Sequence, residues 1–481
     1  MSLYHQLAED IAQQIGAGTL GPGERLPSVR QLRATRHVSA STVLHAYRLL
    51  EDHGLVVTRP RSGYFVSDDP PAPPSEPRAA APAEQPTPVV VTDLLFDYLE
   101  GLRNRSSVQL GTAFPSPLLY PLGKLAQTIA SSARRLDPWR TVEDLPPGNR
   151  DLRRHIARRY LEVGAHVDID EIVITSGASE ALMICLLSAT RPGDVVAIES
   201  PVFYAALQAC ETAGLSAIEI PVHPGTGLDL DALEQAIARH PIKLCWAMPT
   251  FQNPTGALMP VERKEALVAL LARHDIPLLE DDVYAELYFG AHKPPPAKAF
   301  DRNGLVMHCG SFSKALAPGY RVGWAAAGRR SREVRRNKFL FSVETNIIAQ
   351  DAIAEYVRHG GYEHHLRGLR AALRSQLADM LRAIGRHFPA EVKVSHPEGG
   401  YFVWLQLPRG VSAMELHRRS LADGICIAPG PLFSPNGGFG EYIRLNFGHP
   451  WSQRIERALS HVGKLVAVLV DEARGAARRT A

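Results

Sequence analysis

Lys314 is the side chain of this sequence best placed to do covalent chemistry. It lies in the stretch SFSKALAPGYRVGW, residues 311–324, and Arg321 follows it after a Pro-Gly turn. A lysine is a nucleophile only when it loses its proton readily, which requires partial burial or a nearby positive charge. The apolar run GLVMHCG precedes it, so we expect Lys314 at the end of a buried strand. Taken alone, the stretch fits a solvated surface loop better.

Two further segments carry residue types that suit the same chemistry. TSGASEAL, residues 175–182, joins a strand to a helix, so that backbone N–H groups near Ala178 and Ser179 can point at a phosphate. LLEDDVY, residues 278–284, ends an apolar strand with three carboxylates, which are costly beside a core unless they have a charged partner. Taken singly, the first segment fits an ordinary helix cap.

Two other segments add an amide and a guanidinium. QNPTG, residues 252–256, is a turn with an amide side chain beside a proline. EYIRLNFG, residues 441–448, puts Arg444 among apolar strand residues, which favours a carboxylate clamp over a surface role. Together these segments supply the parts of a pyridoxal phosphate site. These parts are a lysine for a Schiff base, an acid for a pyridinium nitrogen, and donors for a phosphate and a ring oxygen.

The elements that must position these residues alternate along the chain. DEIVITSG, GDVVAIES, IKLCWAMP and GLVMHCGS are short buried strands, and SEALMICLLSAT and VERKEALVALLARH have helical periodicity. Such alternation predicts an α/β fold with a mostly parallel sheet. Near the C-terminus, VKVSHPEGGYFVWLQLP and EYIRLNFGHP predict strands of a smaller α+β lobe.

The order SGAS, NPTG, EDDVY, SFSK and a C-terminal arginine strongly resembles the fold-type I aminotransferases, over roughly residues 105–470. The resemblance implies that Lys314 forms the internal aldimine with pyridoxal 5'-phosphate. It implies that Asp281 pairs with the protonated ring nitrogen. Asn253 and Tyr284 would hydrogen-bond the ring hydroxyl oxygen. Lys314, Asp281 and Tyr284 are therefore the expected catalytic residues.

The same resemblance assigns the rest of the cofactor cup. Ser311, Arg321 and the amides of Ala178 and Ser179 would hold the phosphate. Phe203 fits the position of the aromatic side chain that stacks on the ring, with Tyr204 as the alternative.

Arg444 would bind the carboxylate of an incoming amino compound. The chain departs from the family in one respect, because aminotransferases often lend a tyrosine to the neighbouring subunit's phosphate. Here no tyrosine lies between Tyr120 and Tyr160.

A proline-rich stretch divides the chain. Residues 68–92 include DDPPAPPSEPRAAAPAEQPTP, which has almost no large apolar side chains and favours extended, semi-stiff backbone. We therefore expect a small domain over residues 1–67, a linker over 68–92 and a large domain over 93–475.

The first 66 residues predict three helices and a β-hairpin. Ser28 can cap the second helix, Ser39 or Ser41 the third, and Gly54 suits the end of the third. This order is that of a winged helix-turn-helix, in which the third helix enters a major groove and the hairpin contacts the adjacent backbone. A small helical domain for protein contacts is the alternative.

The phrase LPSVRQLRA...VSASTVLHAYRLLEDHGLVVTRPRSGYFV closely resembles the DNA-binding head of GntR-type bacterial regulators. That likeness implies DNA contacts by Arg30, Ser39, Ser41, Thr42 and Gly63. The family commonly has an arginine where this chain has Ala40, and His45 or Arg48 could supply that contact instead. Arg61 in the hairpin completes the expected DNA-binding set.

Bulk properties agree with an intracellular protein. Of the 481 residues, 45% are hydrophobic and 21% charged, the formal net charge is +3, and the five cysteines form no CxxC pair. These values predict neither a disulfide framework nor a metal site, and no segment predicts a membrane span. We expect a cytoplasmic location.

A GntR-like head, a linker and an aminotransferase-like body in this order resemble the MocR group of bacterial regulators over the entire chain. The resemblance implies a homodimeric transcription factor that binds double-stranded DNA and pyridoxal 5'-phosphate. It would respond to the cofactor or to an amino compound that forms an external aldimine. The alternative is a catalytically active aminotransferase with a regulatory head.

Overall fold

The structure is a computed structural model. It describes residues 3–16, 18–52, 54–59, 62–67, 75–77, 85–89, 95, 98 and 106–480. Arg61, predicted to contact DNA, lies outside the described residues, as does most of the predicted linker.

The head consists of three helices and a hairpin. Its elements are α1 (Leu3–Gly16), α2 (Val29–Arg36), α3 (Ala40–Asp52), β1 (Val56–Arg59) and β2 (Gly63–Val66). Ser28 and Gln31 form a capping box, because the Ser28 Oγ accepts from the Gln31 backbone N–H and the Gln31 Oε1 accepts from the Ser28 backbone N–H. This local reciprocity fixes the start of α2.

The head has its own apolar core. Its buried side chains are Leu7, Ala8, Ile11, Ile15, Leu26, Leu32, Val43, Ala46, Tyr47, Leu50, Val56 and Val66. Tyr47 is fully buried, and its hydroxyl donates to the backbone carbonyl of Pro27. Burial raises the pKa of Tyr47 to about 12, so the phenol stays protonated and remains a donor.

The body contains short strands and longer helices in alternation. The strands are β3 (Thr87–Pro88), β4 (Val108–Gln109), β5 (Ile172–Thr175), β6 (Val195–Ser200), β7 (Ser216–His223), β8 (Gly227–Leu228), β9 (Ile242–Ala247), β10 (Leu278–Asp281), β11 (Val306–Ser311), β12 (Gly323–Ala326), β13 (Lys393–Val394), β14 (Phe402–Gln406), β15 (Ile425–Cys426), β16 (Ala428–Pro429) and β17 (Tyr442–Asn446). The helices are α4 (Leu122–Arg134), α5 (Arg140–Glu143), α6 (Arg150–Leu161), α7 (Ala178–Ala189), α8 (Tyr204–Thr212), α9 (Leu230–Arg239), α10 (Val261–Arg273), α11 (Ser331–Ser342), α12 (Ile347–Arg358), α13 (Gly361–His387), α14 (Ala413–Ala422) and α15 (Gln453–Thr480).

The large sheet is mostly parallel, as the sequence predicts. Its described strands run in the order β3-β7-β6-β9-β10-β11-β12-β5, and β8 pairs with β7. The neighbours from β7 to β11 are parallel, whereas β12 is antiparallel to both β11 and β5. Every residue of β5, β10 and β11 is buried, including the two carboxylates at the end of β10, Glu280 and Asp281.

A smaller sheet forms the C-terminal lobe. Its order is β13-β14-β17-β16, and its pairs are antiparallel. The short strand β15 pairs instead with β4, which joins the beginning of the described body to this lobe. The predicted fold class, a winged helix-turn-helix head with an α/β body and a smaller α+β lobe, is confirmed.

Candidate functional site

The candidate site lies at one edge of the large sheet. β5, β6, β9, β10 and β11 end at Thr175, Ser200, Ala247, Asp281 and Ser311, and the predicted site segments follow these strand ends. Because parallel strands present their carboxyl ends at the same edge, segments far apart in sequence meet there.

A cavity of about 260 Å³ opens at this edge. Its wall includes eight of the predicted site residues: Ala178, Ser179, Phe203, Asp281, Tyr284, Ser311, Lys314 and Arg321. Asn253 and Arg444 lie one layer deeper, and both are fully buried. The rest of the wall includes residues that no sequence motif indicated: Ala113, Phe114, Trp246 and Met248.

Lys314 is half-buried on the cavity wall. Its Nζ donates to the carbonyl of Ala113 at 2.7 Å and lies 3.6 Å from the centre of the Phe114 ring. Removal from water lowers the pKa of Lys314 to about 7 from an ordinary 10.5; Asp281 opposes this shift, and Arg444 and Arg321 add to it. A large fraction of this amine is therefore neutral and nucleophilic near neutral pH.

Asp281 is buried on the same wall. Burial and the neighbouring Asp282 carboxylate raise the pKa of Asp281 to about 7 from 3.8. Its Oδ1 is buried and has no hydrogen-bond partner among the described residues. A carboxylate oxygen without a partner in a core calls for a cationic or N–H donor.

A chain of hydrogen bonds ends on Asp282, the next residue. The Trp324 Nε1 donates to the Tyr160 hydroxyl at 3.0 Å, and this hydroxyl lies 2.7 Å from the His308 Nδ1. The His308 Nε2 lies 2.9 Å from the Asp282 Oδ2. The sequence did not indicate these hydrogen bonds, because the residues that form them come from four separate segments.

The phosphate end of the cavity is built from the start of α7 and the loop after β11. Arg321 has φ +52°, and its Nη2 donates to the carbonyl of Ser176 at 3.4 Å. Gly177, at φ +84°, precedes α7, and a Cβ there would lie 2.5 Å from the Arg321 Nη2. A side chain at Gly177 would collide with the Arg321 guanidinium, so glycine leaves this group room beside the start of α7. The Ser311 Oγ is nearby, where it accepts from the Ser313 backbone N–H at 3.0 Å.

Arg444 and Asn253 are bonded to each other. The Arg444 Nη1 donates to the Asn253 Oδ1 at 2.8 Å, and the Asn253 Nδ2 donates to the Tyr284 hydroxyl at 3.3 Å. Tyr284 thus connects the cavity wall to the deeper pair. Phe203 and Tyr204 both line the cavity, with ring centres 4.4 Å apart, so the geometry does not choose between them as the stacking residue.

The residues present fit pyridoxal phosphate. The unpartnered Asp281 Oδ1 suits a pyridinium N–H, and the start of α7 with Arg321 suits a phosphate. Lys314 lines the same cavity and interacts electrostatically with both Asp281 and Arg321.

The pKa of Lys314 predicts how cofactor loading depends on pH. Because its folded-state pKa is about 7, the amine is an ammonium group below that pH and a free nucleophile above it. We expect the rate at which cofactor-free protein incorporates pyridoxal phosphate to be half-maximal near pH 7. Stopped-flow absorbance across pH 5.5–10 measures it, with N-acetyl-lysine amide in the same buffers as the control. A rate that still rises steeply above pH 9 would contradict this assignment.

In the head, most of the described residues that are predicted to bind DNA are exposed, whereas Thr42 and Gly63 are half-buried. Arg30 is exposed near the start of α2, and Ser41, His45 and Arg48 are exposed on one face of α3. The Ser39 Oγ caps α3 by accepting from the Thr42 backbone N–H at 3.1 Å. Gly63 has φ +100° at the turn of the hairpin.

The described part of the chain contains neither a metal site nor a membrane-spanning helix. No group of three or more His, Cys, Asp or Glu side chains there could hold a metal ion. No helix there is both long and apolar enough to cross a membrane.

Two family models match the sequence. "Bacterial regulatory proteins, gntR family" matches residues 3–66, and "Aminotransferase class I and II" matches residues 140–462. The chain is 43% identical to the uncharacterized HTH-type transcriptional regulator YdcR of Escherichia coli, over 97% of this chain and 99% of that protein.

Solved aminotransferases resemble the body. The multiple substrate aminotransferase of Thermococcus profundus is 27% identical with a TM-score of 0.74, and the match covers 80% of this chain and 96% of that one. LysN, the α-aminoadipate aminotransferase of Thermus thermophilus solved with N-(5'-phosphopyridoxyl)-L-leucine, is 29% identical with a TM-score of 0.73, covering 79% and 96%.

Proposed function

Because this chain belongs to the bacterial regulators that join a gntR-type head to a class I and II aminotransferase body, the MocR group, we propose that it is a DNA-binding transcriptional regulator whose body senses pyridoxal phosphate or an amino compound. The family's cofactor is pyridoxal phosphate. The observation that carries the proposal is the shared cavity of Lys314 and Asp281, in a chain that also has a gntR-type head. For this proposal the head is residues 1–67, the linker 68–92 and the body 93–475.

Each residue of the body has a separate task in this function. Lys314 supplies the neutral amine that holds the cofactor covalently. The Asp281 carboxylate keeps the ring nitrogen protonated, and its unpartnered Oδ1 accepts the hydrogen bond from that N–H. Asn253 and Tyr284 orient the ring oxygen. When bound, pyridoxal phosphate supplies an aldehyde that combines with amines and a ring that withdraws electrons from them.

Four groups are proposed to hold the phosphate. They are the Ala178 and Ser179 amides, the Ser311 hydroxyl and the Arg321 guanidinium. The backbone donors need no side-chain reorganisation, because α7 fixes them in place. Phe203 is proposed to stack on the ring.

The amino compound is proposed to carry a carboxylate, which Arg444 binds. A guanidinium binds a carboxylate through two parallel hydrogen bonds, which a simple amine cannot offer. LysN, which is similar to this body, was solved with a leucine adduct of the cofactor, so L-leucine is a reasonable first probe.

The head is proposed to bind double-stranded DNA through α3 and the hairpin. Arg30, Ser39, Ser41, Thr42, His45, Arg48, Arg61 and Gly63 are the proposed contacts. A DNA target implies a cytoplasmic location.

Arg48→Ala tests the DNA surface. Arg48 is exposed on α3, so its loss removes a contact without disturbing the head core. We expect DNA affinity to fall by about 1–3 kcal/mol, roughly 5- to 150-fold. Arg134→Ala is the matched control, because Arg134 is an exposed helical arginine of the body. Equal DNA affinity of the Arg48→Ala variant and the wild type would remove Arg48 from the interface.

The function itself is tested by gel retardation of DNA from the upstream region of the protein's own gene. The full chain is compared with and without pyridoxal phosphate, and with added L-amino acids. Retardation that changes with the cofactor or the amino acid supports a ligand-responsive regulator. No retardation under any condition would overturn the proposal.

A catalytically active aminotransferase is the second candidate function. It is favoured by the survival of Lys314, Asp281, Tyr284 and Arg444 in one connected site. Steady conversion of an amino acid to its keto acid by the loaded protein would establish it. A single spectral change without continued turnover would favour sensing.

A homodimer is proposed for the body. The end of α11 and the residue after it present neighbouring apolar side chains to solvent: Phe339, Leu340, Phe341 and Val343 are 50%, 67%, 60% and 48% exposed. Large apolar side chains exposed together in one short segment are typical of a protein interface. Sedimentation of the wild type and of Leu340→Lys tests it, and a monomeric wild type would exclude it.

A further inference from the structure

Arg444 is a buried cation without an anionic partner among the described residues. Its Nη1 bonds the Asn253 Oδ1, and its Nη2 donates to the carbonyl of Gly111 at 2.5 Å. Its Nε is buried and has no partner among the described residues. The rings of Phe402 and Phe433 lie 4.2 and 5.0 Å from the guanidinium carbon. Burying a cation against neutral acceptors is costly, so this site favours an anion.

The two N–H groups that face away from Asn253 are Nε and Nη2. In a guanidinium these two form one edge, which matches the two oxygens of a carboxylate. Nε is unpartnered, and Nη2 donates to the Gly111 carbonyl beside the Tyr98 hydroxyl. A carboxylate can therefore take this edge while Nη1 keeps its bond to Asn253, provided that the Gly111 carbonyl leaves.

The Gly111 carbonyl belongs to a short segment inserted between the lobes. We call residues 110–114 the plug. The Asn446 Nδ2 donates to the carbonyls of Thr112 and Phe114 at 3.0 and 2.7 Å, and the Tyr401 hydroxyl donates to the Ala113 carbonyl at 2.9 Å. Asn446 lies on β17, two residues after Arg444. The same strand thus carries both the cation and the side chain that fixes the plug against it.

The plug is also hydrogen-bonded to a residue that precedes it in the sequence. The Tyr98 hydroxyl donates to the same Gly111 carbonyl, and Tyr98 is buried among residues of the C-terminal lobe. Gly111 has no room for a side chain, since a Cβ would lie 2.8 Å from the Ile427 carbonyl carbon and 2.8 Å from the Tyr98 Oη. The contact is close enough that any shift of Gly111 also changes the bonding of Tyr98.

We propose that the plug is a carboxylate-sensitive switch, in which the carboxylate of an amino-acid ligand displaces the Gly111 carbonyl from Arg444 and thereby releases Tyr98. This switch rests on the proposed function, in which an amino compound binds in the cavity. A ligand shifts a conformational equilibrium only through contacts that differ between the two states. Exchange of a neutral carbonyl for a bidentate carboxylate on a buried cation is such a contact. A ligand without a carboxylate leaves the plug in place.

The test compares L-leucine with 3-methylbutylamine, its decarboxylated counterpart, on the full chain loaded with pyridoxal phosphate. Hydrogen exchange of a peptide spanning residues 106–118 reports the plug, and cofactor absorbance reports binding. We expect both ligands to change the absorbance and only L-leucine to speed exchange. L-Alanine with ethylamine and L-phenylalanine with phenethylamine extend the comparison to other side chains. Faster exchange with the amines as well, or unchanged exchange with a bound amino acid, would overturn the switch.

A second experiment tests the plug without any ligand. Tyr98→Phe removes one hydrogen bond from the Gly111 carbonyl, and we expect exchange in the plug to rise about fivefold. Tyr356→Phe is the matched control, because Tyr356 is a buried body tyrosine outside the site. Gly111→Ala should loosen the plug further. If neither variant differs from the control, the plug is not held through Gly111 and the switch is wrong. If no ligand alters the absorbance while this arm behaves as expected, the amino-compound part of the proposed function fails instead.

Discussion

Replacing Lys314 with alanine is expected to abolish covalent retention of pyridoxal phosphate. The variant has no amine on the cavity wall to attach the aldehyde, whereas the phosphate donors at α7 and Arg321 remain. Cofactor-loaded protein is passed through gel filtration after borohydride reduction, and its absorbance and mass are measured. Wild type should keep the cofactor, and Lys314→Ala should keep none.

Lys124→Ala controls for loss of a lysine, since Lys124 is exposed on α4. Melting temperatures of both variants check that they are folded. Covalent cofactor on the Lys314→Ala protein would show that another lysine is the attachment point. The Lys314→Ala variant also distinguishes DNA binding by the head from its response to the cofactor. We expect its DNA affinity to persist but no longer to change when pyridoxal phosphate is added.

Asp281→Asn should weaken cofactor binding on the order of a hundredfold or more, because it leaves a buried pyridinium cation without its anion. It should also change the pH dependence of loading. The Asp281 carboxylate holds the pKa of Lys314 up, so its removal lets that pKa fall further and moves the half-maximal pH below about 7. Equilibrium dialysis measures the first effect and stopped-flow absorbance the second.

The matched control for this substitution is Asp471→Asn, at an exposed position of α15. It removes the same charge from the chain at a solvent-exposed position. If Asp281→Asn binds the cofactor as tightly as this control, the ring nitrogen does not face Asp281. A shift of the half-maximal pH upward rather than downward would contradict the electrostatic relation between Asp281 and Lys314.

The parts of the fold that sequence predicts well are those set by local interactions. The start of α2 follows from Ser28 and Gln31, which bond each other within one turn. The buried strands follow from apolar runs such as IVIT of β5 and the two leucines that begin β10. The predicted order of head, linker and body depends on composition, and the exact boundaries stay a prediction.

The deeper part of the site depends on contacts that no short stretch of sequence contains. Arg444 meets the Gly111 carbonyl across 333 residues, and Tyr160 meets His308 across 148. Residue types at strand ends indicate which groups gather at the sheet edge. They do not indicate that Arg444 is sealed behind a backbone segment, because a backbone carbonyl carries no residue-specific signal. The site assignments themselves stay predictions that the substitutions above test.

The self-contained core of the head has an evolutionary consequence. Its buried apolar side chains, from Leu7 to Val66, pack on one another and complete their burial within the head's own residues. A unit of this kind can be transferred by recombination to another body without a new interface having to evolve. The DNA sequence that a regulator reads and the small molecule it answers to can therefore diversify separately, and a chimera with a different gntR-type head would inherit this body's ligand.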